Sequence, residues 1–134
     1  MSALTSIEGI GPQLAKSLKD QGVESVEDLL ETGRTSTGRM ELASATGIDK
    51  KRILRFVNHA DLMRVKGVGG EYAELLEAAG VDTVAELAQR NADRLHERLV
   101  EVNEEKSLVR ALPAAARVRE WIEQAKELAR VIQH

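Results

Sequence analysis

The chain has 134 residues, 43% hydrophobic and 31% charged, which bounds it at one globular domain or two very small ones. It has no cysteine, so disulfides and thiolate metal sites are excluded. Its net charge of −3 is unlike that of an autonomous DNA-binding domain, but the acid excess is one-sided: residues 1–64 hold 9 basic and 9 acidic side chains, residues 65–134 hold 10 and 13.

No apolar run approaches the ~20 residues needed to span a bilayer, and no charged-then-apolar leader is present. The expectation is a cytoplasmic protein with no membrane partner. The only aromatics are Phe56, Tyr72 and Trp121, too few for an aromatic platform on which single-stranded bases stack.

Along the chain, Ile10, Leu14 and Leu18 recur at the four-residue spacing of one helix face. Gly22 then fits the left-handed position that ends a helix. Ser25 is placed to cap a second helix, whose buried side is Val26, Leu29 and Leu30. "TSTGR" (35–39) reads as a loop before a helix at about 39–46. Gly47-Ile48-Asp49 makes a tight turn, with Asp49 capping a helix over about 50–63. Thr83-Val-Ala-Glu86 is a capping box. Leu95, Leu99 and Val102 mark another helix, and Val118, Trp121, Ile122, Ala125, Leu128, Ala129 and Ile132 mark a long final one. Nothing alternates with period two, so the predicted fold is all-α.

A shift of 58 residues superimposes the sequence on itself. Residues 7–30, "IEGIGPQLAKSLKDQGVESVEDLL", align without a gap to 65–88, "VKGVGGEYAELLEAAGVDTVAELA", with 8 of 24 positions identical. Such self-similarity defines architecture before any other signal. It predicts two pseudo-equivalent halves, 1–64 and 65–134.

The pattern hydrophobic-x-Gly-hydrophobic-Gly-x-x-x-Ala-x-x-Leu occurs at Ile7–Leu18 and at Val65–Leu76. It resembles the helix-hairpin-helix motif, in which a helix ends, Gly-hydrophobic-Gly turns sharply and a second helix begins. The resemblance implies tandem helix-hairpin-helix (SAM-like) repeats, with Ile10 and Val68 plugging the interhelical angle and Ala15 and Ala73 small at the crossing. "ELASATGIDKKRILRFV" (41–57) resembles a second, degenerate hairpin, and "LVRALPAAARVREWI" (108–122) its eroded counterpart with Pro113 at the turn. From end to end the chain is similar to a bacterial family known only as a domain of unknown function built of helix-hairpin-helix units. Rossmann and P-loop readings fail, because no strand, third glycine at the right spacing or Gly-Lys-Ser/Thr accompanies the glycines.

In DNA-binding members of the helix-hairpin-helix class, hairpin N–H groups meet phosphate oxygens, which is the general chemistry of a helix N-terminus. Such contacts carry no sequence information. The resemblance therefore implies a phosphate-binding set of Gly9, Ile10, Gly11, Gln13 and Lys16, joined by Gly47, Lys50, Lys51 and Arg52. Gly67, Val68 and Gly69 form a weaker second hairpin, because Glu71, Glu74 and Glu77 follow them.

Catalysis is not expected. His59, His96 and His134 are far apart in sequence, and His96-Glu97 fails as a zinc-protease motif because position 100 is Val. No Gly-x-Ser-x-Gly elbow, metal site or cofactor site is expected. The reading is a non-enzymatic module contacting double-stranded DNA non-specifically, chiefly through its first half. The competing one is a protein-interaction or scaffold domain that kept the fold and lost the ligand.

Overall fold

Side-chain caps set where most of the helices begin. In the computed structural model, which describes residues 1–134, the chain forms eight α-helices and one 3₁₀ turn, with no strand. Ser25, Thr35, Thr83 and Asn91 each accept a backbone N–H three residues on, starting α2 (Val26–Gly33), α3 (Ser36–Thr46), α6 (Val84–Ala88) and α7 (Ala92–Lys106). Asp49 caps α4 (Lys50–Leu62) by accepting the Lys51 N–H at 2.8 Å. α1 (Pro12–Lys19), α5 (Gly70–Ala78) and α8 (Ala115–Glu127) start without any side-chain cap. No helix is long and apolar enough to cross a membrane.

The helices fall into two units, Met1–Asp61 with Val131–His134, and Leu62–Arg130. In the first, α2 packs on α3, and α1 packs on α3 and on the 3₁₀ turn Leu4–Ser6. Leu4, Ile7, Leu18, Leu29, Ile53 and Phe56 are its largest fully buried side chains. Each such side chain stabilises the fold by roughly 1.5–3 kcal/mol. Gly33 lets the end of α2 lie directly on Val57, and a methyl group there would collide with that side chain. In the second unit, α6 and α7 pack on α8, and α5 packs on α7. Its core includes Leu75, Leu76, Leu87, Leu95, Leu99 and Trp121, with the Tyr72 ring tilted against Trp121 at 5.3 Å.

The 58-residue repeat is also a repeat of backbone geometry. Ile10 N–H donates to Ile7 C=O, and Val68 N–H to Val65 C=O, each at 3.1 Å. Val23 N–H closes onto Leu18 C=O at 3.0 Å, and Val81 N–H onto Leu76 C=O at 2.9 Å. Gly9 and Gly67 take φ of 95° and 93°, a left-handed region that L side chains rarely adopt.

Three expectations need correction. Before Gly9 the chain makes only the short 3₁₀ turn Leu4–Ser6, not an α-helix. α3 starts at Ser36 rather than near 39, because the Thr35 hydroxyl already accepts the Gly38 N–H at 3.0 Å. The last helix stops at Glu127, with Leu128 extended, and does not run through Ile132. The reason lies in the first unit: Gln133 donates its N–H to Arg34 C=O at 2.7 Å and accepts Arg39 Nη2 at 2.8 Å, while Ile132 is buried. Those bonds hold an extended tail that a continued helix would forfeit.

Candidate nucleic-acid interface

The Gly9–Gly11 turn divides its labour between two glycines. Gly9 needs the positive φ, and its Cα lies close against the Phe56 ring, so that an added Cβ would sit 3.2 Å from Cε1. Gly11 has an extended φ of −87° and open space where a Cβ would be. It is the N-cap of α1 and has no side chain to cap with. A helix cannot pair its first N–H groups internally. Pro12 at N1 has no N–H to offer, and the N–H groups of Gly11, Gln13 and Leu14 are left for an outside acceptor. No acid lies in the first turn of α1, and Gln13, Lys16 and Lys19 are exposed.

Ile10 does not belong to this set of donors. Its N–H is spent on Ile7 C=O and its side chain is buried, so it is a core plug, as is Val68 in the second hairpin.

The run Lys50-Lys51-Arg52 is split by the twist of α4. The Arg52 guanidinium lies 5.5 Å from the centre of the Phe56 ring, the same ring that supports Gly9. A cation over an aromatic face is held there electrostatically. Arg52 thus shares the Phe56 ring with the Gly9–Gly11 turn. Lys50 and Lys51 instead line a separate pocket with Ser36, Arg39, Leu54 and His134.

The Gly47 turn satisfies itself. Gly47, at φ 75°, donates to Ala43 C=O at 2.9 Å, Ile48 N–H donates to Thr46 Oγ1 at 3.2 Å, and Lys51 N–H donates to Asp49 Oδ1 at 2.8 Å. Asp49 thus takes one of the N–H groups at the start of α4, where the resemblance implied a phosphate contact.

The Gly67–Gly69 turn copies the Gly9–Gly11 turn in backbone and departs from it in surroundings. Gly69 is again an uncapped N-cap with open space over it, at φ −95°. In the first turn that follows, however, Glu71 is exposed. Glu74 and Glu77 are half-buried and each engages a partner. The backbone of Lys66 is clamped by the Gln124 carboxamide, which accepts its N–H at 3.0 Å and donates to its C=O at 3.3 Å. Gly67 packs against Trp121 and Arg117, whose Nε1 and Nη2 atoms would lie 3.1 and 3.2 Å from an added Cβ.

Arg117 was missed in the sequence. It stands four residues before Trp121 as Arg52 stands four before Phe56, at an offset of 65 rather than 58. The added length lies before α8, where α7 is longer than α3 and the Ser107–Ala114 connection is longer than the Gly47–Asp49 turn. The Asn103 side chain braces that connection, bonding Val109 N–H at 2.9 Å and Val109 C=O at 3.1 Å. The three histidines stand apart as well. His59 is fully buried in α4, His96 Nε2 meets Pro113 C=O at 3.1 Å, and His134 lines the pocket of Lys50. No group of three or more His, Asp or Glu side chains is placed to hold a metal ion.

A family described as a domain of unknown function (DUF4332) matches residues 8–128. That span is most of the 134-residue chain, and the chain belongs to this family. No curated protein and no solved structure matches it.

Proposed function

We propose that this member of the DUF4332 family is a non-enzymatic helix-hairpin-helix module that contacts the nucleic-acid backbone without sequence preference, through its first hairpin. The observation that carries the reading is the start of α1: an uncapped helix N-terminus behind an exposed glycine, with no acid in its first turn. Its unpaired N–H groups and partial positive charge suit a phosphodiester oxygen. Lys16 and Lys19, exposed in the last turn of α1, and Arg52, over the Phe56 ring, supply the cations of the first unit that support this reading. Contacts of this kind position a duplex and do not read it.

The competing reading is a protein-interaction domain. It draws on the second hairpin, where the same backbone carries Glu71 at the helix start and would repel phosphate.

Fluorescence anisotropy with a short labelled duplex bearing 5′-hydroxyl ends, measured from low to moderate salt, separates the two. Each phosphate contacted lowers the log–log salt slope by about 0.9. Binding should be saturable, and Lys16→Glu/Lys19→Glu should weaken it and flatten the slope. Absence of binding at low salt, or binding indifferent to that variant, retires the nucleic-acid reading in favour of the interaction domain.

A further inference from the structure

The buried Arg39 is the feature that neither the hairpins nor the core explain. It is 4% exposed, and its guanidinium donates only to carbonyls, Nη1 to Gly33 at 2.8 Å and Nη2 to Gln133 at 2.8 Å. Burial lowers its pKa, yet a guanidinium stays charged at any physiological pH. The charge is therefore held against backbone dipoles without a carboxylate, an expensive arrangement in a low-dielectric setting.

Arg39 also lines a pocket of about 400 Å³ with Ser36, Lys50, Lys51, Leu54 and His134. That volume lies within the range of small-molecule sites, roughly 300–1,000 Å³. Three basic side chains line it, and none of its lining side chains is an Asp or a Glu. The nearby Asp49 is turned to its own task, accepting the Lys51 N–H as the cap of α4. Like charges gathered at one concavity destabilise it until a counter-anion arrives.

We infer that this pocket binds a phosphate monoester. A dianionic tetrahedral group can accept from two ammonium groups, a hydroxyl and a guanidinium arriving from different directions, as a planar carboxylate cannot. Ser36 supplies the hydroxyl, Lys50 and Lys51 the ammonium groups, and Leu54 an apolar wall for the organic part of the ester. The pocket is independent of the hairpin contact proposed above, since neither Gly9–Leu14 nor Arg52 takes part in it.

The test is an amide-resolved NMR titration of the full chain at constant ionic strength, using inorganic phosphate, 5′-AMP and adenosine. Phosphate and 5′-AMP should shift the Ser36, Arg39, Lys50 and Lys51 amides saturably, and adenosine should not. Lys50→Gln/Lys51→Gln changes two exposed side chains, so the fold should persist and the affinity should fall at least tenfold. Shifts that grow linearly, that spread equally to Lys16 and Lys19, or that saturate unchanged in the double variant would overturn the inference. A single strand with a 5′-phosphate, compared with its 5′-hydroxyl twin, identifies the source of the group. A tenfold preference for the phosphorylated strand assigns the site to strand ends. Equal affinity, with 5′-AMP still saturating, assigns it to a free phosphate ester.

Discussion

At Gly9 the supporting aromatic is Phe56, with Arg52 over its face; at Gly67 it is Trp121, with Arg117 against the glycine and over the Tyr72 ring. Backbone angles, glycine roles and the arginine four residues before the aromatic are the same in both. What differs is the charge at the helix start: none acidic at α1, Glu71 at α5. The shared features are therefore requirements of the turn, and the ligand chemistry rests on what surrounds it. A fold repeated within one chain carries no guarantee that its function is repeated.

The comparison breaks most visibly at the aromatics. Phe56→Ala should cost about 3–5 kcal/mol in urea unfolding, the usual range for emptying a buried aromatic site. A loss under about 1 kcal/mol would show that the ring does not carry the hairpin. Next come the glycines. Gly9→Ala and Gly67→Ala should each lose about 1–2 kcal/mol to the left-handed backbone, with more from displaced neighbours. Gly11→Ala, with ordinary φ and open space, should cost under about 1 kcal/mol. Equal losses at Gly9 and Gly11 would sink the division of roles between them.

Trp121→Phe installs in the second unit the residue that the first one uses. Trp121 Nε1 is buried with no hydrogen-bond partner, so the lost area is offset by removal of an unsatisfied donor. The net change should stay under about 1.5 kcal/mol by denaturant midpoint. Glu71→Gln should move two observables in opposite directions. Removing the acid from the first turn of α5 costs about 0.3–1 kcal/mol of stability, and the same interaction no longer opposes phosphate there. Duplex affinity in low salt should therefore rise, and unchanged affinity would mean that charge does not distinguish the hairpins.

The smallest effect concerns a clamp with no counterpart in the second unit. Glu27 accepts the Ser2 N–H at 2.8 Å, which holds its carboxyl below the ordinary value of 4.5; the equivalent position by the repeat is Ala85. Because the folded value is depressed, the stabilisation is present above the ordinary carboxylate pKa and disappears as pH falls through the folded one. The stability gap between wild type and Glu27→Gln should be open at pH 7 and close in acid. A gap that is constant with pH would remove the clamp from the account.

Local chemistry was the legible part of this chain. Ser25, Thr83 and Asp49 cap the helices their side chains suggest, and Gly22 and Gly80 take the left-handed conformation after α1 and α5. Each depends on a few neighbouring residues, and such signals survive in a linear reading. The division of Lys50-Lys51-Arg52 does not, because it needs both the twist of α4 and the position of Phe56 beneath Gly9. Arg39 read as the end of a polar loop, since nothing near it in sequence announces that Gly33 and Gln133 will supply its acceptors. Arg117 stayed hidden because the extra residues before α8 shift its register away from the main repeat. The last helix was over-extended because the apolar spacing continues to Ile132, and that residue is buried in another way.

The residues 131–134 that complete the first unit emerge from the ribosome after all of Leu62–Arg130. The first unit is thus interrupted in sequence: its Arg34 and Arg39 must wait for Gln133 before the tail bonds can close. Domains made in one stretch can fold in order of synthesis. Here the amino-terminal unit cannot close its tail bonds until Gln133 has been made, and until then the guanidinium of Arg39 lacks one of its two acceptors.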